Sequence, residues 1–155
     1  MLVRLLPLLV LLFSLKLTAF ERKVIQPKDF PTGRPYSAAL LVDDTLYVSG
    51  QLGADWKTGK YPDNFEAEVR QCMQNVLAIL KEARMGWEDV VSVQVYLTDL
   101  DLFERFNTIY LPMVKEPLPV RTTAGVSNLI GPARVEMSVI AHNTRSRYIP
   151  MRTNP

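Results

Sequence analysis

The sequence predicts an α+β domain of two layers, with its elements in the order β-β-α-β-α-β-β. Three observations lead there. Residues 90–97 and 133–142 alternate apolar and polar side chains, the period of a half-buried strand, and 36–42 and 45–49 are short apolar runs around a turn. Residues 65–83 place Val69, Cys72, Met73, Val76, Leu77, Leu80 and Ala83 at spacings of three and four, the stripe of a helix lying on a core. The chain holds 155 residues, with no internal repeat, low-complexity tract or linker. Residues 20–155 therefore read as one domain, with two helices covering one face of a sheet.

Residues 1–19 read as a signal peptide outside that domain. Arg4 supplies a positive start, Leu5 to Leu15 is almost wholly apolar, and Leu17-Thr18-Ala19 is a small-residue cleavage site. The apolar run falls short of the ~20 residues a membrane span needs. Two other readings stay open. An organelle presequence should be amphipathic, whereas these leucines fall on every side of a helix. A membrane anchor would end at Lys16. The expectation is export, to a periplasm or the exterior, with the mature chain starting near Phe20 and keeping no membrane span.

The 18 basic residues include Arg4 and Lys16, so the mature chain balances 16 basic against 16 acidic residues. Nucleic-acid binding would need a clustered basic face, and none is visible. Cys72 is the single cysteine and His142 the single histidine. That excludes an intrachain disulfide and leaves a zinc cluster or a His-dependent triad hard to assemble.

In chain order, Phe20 to Phe30 is polar and charged, and Phe30 to Pro35 has turn chemistry. Tyr36–Val42 and Thr45–Ser49 flank Asp43-Asp44 and predict an antiparallel hairpin. Gly50-Gln51-Leu52-Gly53 ends it, with glycine permitting a bulge or a close backbone approach. Asn64 can cap the long helix and Gly86 is its C-cap candidate. Cys72 lies on the apolar stripe, a packing position. Val90–Leu97 is a strand. Asp101 and Glu104 have the logic of a capping box, opening a second helix to about Val114. Pro117 and Pro119 then deliver a short strand from Val120 to Val126. In the last strand, Val135, Met137, Val139 and Ala141 alternate with Glu136, Ser138, Ile140 and His142. Tyr47, Val126 and Ile140 are candidates for an apolar sheet face away from the helices, a face that usually means self-association.

Arg121 stands out, because an arginine heading a strand beside prolines suits the two-pronged grip of a small carboxylate. An exposed strand-end arginine, or an arginine paired only with Glu136, fits the same residues. His142 reads as a surface residue at a strand end.

Six stretches in series carry a family resemblance: Pro35-Tyr36-Ser37, Tyr47 to Gly53, Val95 to Leu100, Phe106 to Tyr110, Pro119 to Thr123, and Val135 to Ala141. From about Val24 to His142 the chain resembles the reactive intermediate (imine) deaminases, also called the RidA, YjgF or L-PSP family. The resemblance implies a chorismate-mutase-like fold in a homotrimer, with three sheets forming a central barrel and three clefts between subunits. It implies that Arg121 holds the substrate carboxylate and Glu136 orients or activates water. Tyr36, Ser49, Gly50, Asn107 and Thr123 would line the cleft. The implied substrates are enamines or imines of 2-aminoacrylate type, hydrolysed to 2-oxo acids and ammonia, with no metal or organic cofactor. Where many members carry glycine before Pro-Tyr, this chain has Arg34. Members of established deaminase activity often carry cysteine where Thr123 stands, and several a second glutamate where Ser138 stands.

The chemistry is modest in its demands. An imine carbon is already electrophilic, so hydrolysis needs a held substrate, a placed water and a proton relay. Glu136 next to Arg121 would be held ionised. A second reading keeps Arg121 without turnover: a trimeric binding protein for small carboxylates or amino-acid-derived metabolites. A third, ribonuclease activity, is opposed by the neutral mature charge.

Overall fold

Residues 22–143 are described by a computed structural model of the chain; the signal peptide expected at 1–19 and the arginine-bearing stretch beyond 143 lie outside them. The elements are β1 (Arg22–Ile25), β2 (Ala39–Val42), β3 (Thr45–Leu52), α1 (Phe65–Glu82), β4 (Val90–Leu97), α2 (Phe103–Tyr110), β5 (Val120–Gly125) and β6 (Val135–His142). The six strands make one sheet in the order β1-β2-β3-β6-β4-β5. All neighbours are antiparallel except β4 and β5. Those two are joined through α2, the crossover that a parallel pair requires.

The strand β1 lies in the polar, charged stretch from Phe20 to Phe30, where the sequence predicts no strand. It is four residues long and flanked by charge, too short for a period to register, yet it pairs along the whole of β2. The β2–β3 hairpin forms as expected around Asp43, which sits at φ 51°. The glycine after Ser49 does both things foreseen for it. The register of β3 against β6 shifts between Val48 and Gln51, and a Cβ on Gly50 would collide with the Glu136 carboxylate.

The helix α1 starts as its sequence predicts. The Asn64 side chain accepts from the Ala67 N–H at 2.8 Å, and Glu66 and Glu68 sit in the first turn, where the helix dipole favours negative charge. Phe65, Val69, Cys72, Met73, Val76, Ile79 and Leu80 are buried, and the helix packs on β3 and β6. Its stop differs from expectation. Arg84, at φ 59°, takes the left-handed position, while Gly86 is extended and precedes a short turn at Trp87–Asp89. The second helix is also shorter than its apolar pattern. A 3-10 turn at Leu100–Leu102 leads into it, and the cap is Asp99, whose carboxylate accepts from the Asp101 N–H at 2.9 Å, rather than Asp101 itself.

The helix-facing side of the sheet holds the core, including Leu46, Val93, Val95, Leu97, Val135, Met137, Val139 and Ala141. The opposite side carries a row at one level across the six strands that is apolar on all but β4, where Ser92 stands. Val24 pairs with Leu40, Leu40 with Tyr47, Tyr47 with Ile140, Ile140 with Ser92, and Ser92 with Val120. Cross-strand partners share a face. Val24, Tyr47 and Val120 in this row are 53%, 49% and 70% exposed, so the row is bare in a single chain. No helix among the described residues is long and apolar enough to cross a membrane.

Candidate functional site

The predicted site residues fall into two groups. The first is built on β5 and α2. Arg121 pairs with Val93 of β4, so it stands on the helix side of the sheet, at an edge strand. Its Nη1 donates to Asn107 Oδ1 at 2.9 Å. Its guanidinium lies over the rings of Tyr110 at 4.8 Å, Phe103 at 5.5 Å and Phe106 at 5.7 Å, all from α2. The described residues thus fix the guanidinium in place while engaging one of its five donors. No carboxylate among the described residues pairs with it. Burial pushes the Tyr110 phenol upward, and the Arg121 charge opposes that shift. Thr123 stands two residues along the same strand, with its hydroxyl buried and unpartnered.

The second group is built on β3 and β6. Glu136 alternates away from the buried Val135 and Met137, onto the face opposite the helices. Its carboxylate rests against the Gly50 backbone, where the bulge leaves no room for a side chain. Burial pushes its carboxyl above the usual range. The Ser49 hydroxyl donates to the Ala38 carbonyl at 2.9 Å and accepts from Gln51 Nε2 at 3.0 Å, which fixes the strand beside Gly50. Next to Gly50 opens a cavity of about 210 Å³ walled by Phe30, Arg34, Tyr36, Trp56 and Tyr61. Phe30 meets Trp56 edge-on at 5.4 Å and Tyr36 at 6.4 Å. The Tyr61 phenol is raised chiefly by burial, then by Glu68, with Arg34 pulling against them and Glu136 adding to the rise.

The two groups do not meet within one chain. Arg121 is level with Val93 and Glu136 with Tyr96, on strands either side of β4. Two strand spacings and three residues of rise put their Cα atoms roughly 14 Å apart. They also project from opposite faces. The expected Arg121–Glu136 contact is therefore absent from the described chain, and Glu136 is shifted toward the protonated form by burial instead of being held ionised by the arginine. Tyr36, Ser49 and Gly50 fall with Glu136; Asn107 and Thr123 fall with Arg121. The rings of Phe103, Tyr110, Trp56 and Tyr61 were not singled out from sequence, although aromatic residues near a lone arginine or glycine are a usable signal. No group of three His, Cys, Asp or Glu among the described residues is placed to hold a metal ion.

This sheet, with two helices on one side, an arginine on its edge strand β5 and a glutamate on the opposite face of the interior strand β6, has close counterparts. The Endoribonuclease L-PSP family model matches residues 27–143. A RutC family protein of Aquifex aeolicus is 40% identical over 123 residues, covering 77% of this chain and 98% of its own. A protein of Bos taurus named 2-iminobutanoate/2-iminopropanoate deaminase is 35% identical over 127 residues, covering 81% of this chain and 93% of its own. The crystal structure of RidA from an Antarctic Psychrobacter superposes with a TM-score of 0.74 at 34% identity, covering 78% of this chain and 99% of that one. The chain belongs to the L-PSP family, among relatives that carry the names RutC, RidA and imine deaminase.

Proposed function

We propose that this protein hydrolyses enamine and imine intermediates of 2-aminoacrylate type to 2-oxo acids and ammonia, at clefts between the subunits of a homotrimer. The observation that carries the reading is the Arg121 guanidinium, anchored by Asn107 and three rings yet left with unengaged donors at a sheet edge. A substrate carboxylate is the two-pronged partner such a group takes. Trimer formation on the bare apolar row would bring the Arg121 group of one subunit to the Glu136 group of the next. Glu136, with its titration moved toward neutrality, is suited to accept a proton from water as it attacks the imine carbon. The C–O bond forms, the C–N bond breaks, and the protonated nitrogen leaves as ammonia. The names of the mammalian relatives support the reaction class. The leader adds export to the proposal, and N-terminal sequencing should find the mature chain starting at Phe20.

Calorimetry with 2-oxobutanoate, alongside ammonia release from freshly generated 2-aminoacrylate, tests the proposal. Arg121→Ala should weaken binding roughly ten- to several-hundredfold, the worth of one or two charge-assisted hydrogen bonds. Arg121→Lys should fail nearly as badly, since an ammonium does not reproduce the planar fork. Glu136→Gln should keep binding while turnover falls about a hundredfold. Binding that depends on Arg121, with parent turnover no faster than the spontaneous rate, would make the protein a carboxylate binder instead.

A further inference from the structure

The cavity beside Gly50 holds a cation, Arg34, that no carboxylate among the described residues pairs with. Of its two charged wall residues, Asp55 is committed to its own turn: one carboxylate oxygen accepts from the N–H groups of Lys57 at 3.0 Å and Thr58 at 2.8 Å, and from the Thr58 hydroxyl at 2.9 Å. Arg34 makes no ion pair or hydrogen bond among the described residues. The pairs that form are Lys57 with Asp29, Arg105 with Glu66 and Arg134 with Glu68. Its backbone is confined, because Gly33 turns the chain at φ 71° and Pro35 restricts the residue before it to extended conformations. The rings of Phe30, Trp56 and Tyr61 complete the wall. Such a surface excludes water from part of the cavity and strengthens any charge pairing inside it.

We infer that Arg34 selects substrates with a second carboxylate at the end of the side chain. The inference rests on the proposed site. If the reacting carbon lies by Glu136 and its carboxylate on Arg121, the side chain is directed past Gly50, which borders both the Glu136 carboxylate and this cavity. Aromatic walls cover the methylene stem, and Arg34 meets the distal carboxylate. The reaction is unchanged: water adds to the imine carbon, ammonia departs, and a 2-oxo diacid is released without oxidant or reductant.

Calorimetry of the parent, Arg34→Gln and Arg121→Ala with 2-oxobutanoate, 2-oxopentanedioate and 2-oxo-3-phenylpropanoate tests this. The parent should bind the diacid about tenfold more tightly than 2-oxobutanoate, a figure set low because Arg34 is exposed. Arg34→Gln should abolish that preference and leave 2-oxobutanoate unchanged. The side chain is exposed and unpaired among the described residues, so the melting temperature should not move. Equal binding of diacid and monoacid by the parent overturns the inference, as does a preference that survives Arg34→Gln. Tightest binding of the phenyl compound also overturns it, assigning the cavity to an aromatic side chain. These results leave Arg121 in its role. Parent-like binding of every ligand by Arg121→Ala, or no binding by the parent, removes the site beneath the inference as well.

Discussion

At the scale of single residues, Glu136 pays for its position in stability. Its carboxyl is raised above the ordinary value of 4.5, and burial is the cause. The sign follows from linkage. Below the ordinary value the group is neutral folded or unfolded and contributes nothing. As pH rises through 4.5 toward the folded value, the unfolded chain ionises first, so the fold loses stability, and the loss persists at higher pH. Glu136→Gln should therefore melt at a higher temperature than the parent at pH 7. The gain should vanish as pH falls below about 4.5. An equal gain at both pH values would place its origin in packing rather than charge. If Arg121 of a neighbouring subunit approaches Glu136 in the assembly, it opposes the burial shift. The gain should then be larger in an Arg121→Ala background.

At the scale of elements, the walls near Gly50 are held by one buried acid. Glu68 is fully buried in the first turn of α1. Its carboxylate accepts from the Arg134 backbone N–H at 2.7 Å and from Arg134 Nε at 2.6 Å, while Arg134 Nη2 donates to the Pro62 carbonyl at 3.1 Å. Gly53 packs so closely on Glu68 that a Cβ there would collide with it. The helix start, the end of the 53–64 loop and the approach to β6 are thus tied at one point. Glu68→Ala leaves Arg134 unpaired and opens a hole, and should cost about 3 kcal/mol in urea unfolding. A loss under about 1 kcal/mol would rank the pair with ordinary surface ion pairs. The sequence concealed this tie, because a glutamate in a first turn reads as a solvated dipole partner. The helix itself was plain, since seven apolar residues at helical spacing leave no competing period. Arg121 and Glu136 were visible as charges placed on strands. Their faces were not equally legible. Alternation within β6 puts Glu136 opposite Val135 and Met137, but the side taken by Arg121 follows from parallel pairing with β4, a contact across the α2 crossover. The cavity walls come from loops, which have no period to read.

At the scale of the whole molecule, the distance between Arg121 and Glu136 becomes a prediction about assembly. A single chain holds them roughly 14 Å apart on opposite faces of its sheet. It also leaves bare a row that is apolar on five of its six strands, a surface that small soluble domains seldom expose. One arrangement answers both facts: copies joined through the bare face, each lending its arginine to the glutamate of the next. In a cyclic trimer the interface is head-to-tail, so every cleft draws one group from each of two chains. Arg121→Ala and Glu136→Gln should each be nearly inactive alone. Refolded together from an equimolar mixture, they should regain activity. A cleft is intact when its arginine comes from a Glu136→Gln chain and its glutamate from an Arg121→Ala chain, which random assembly gives in about a quarter of clefts. Light scattering on the same sample should report three chains. If each chain housed a complete site, every chain in the mixture would carry a lesion and activity would stay at the level of the separate variants. That outcome, from a mixture that has assembled, would place the catalytic groups within one chain and require β5 to move against β6 before the protein could act.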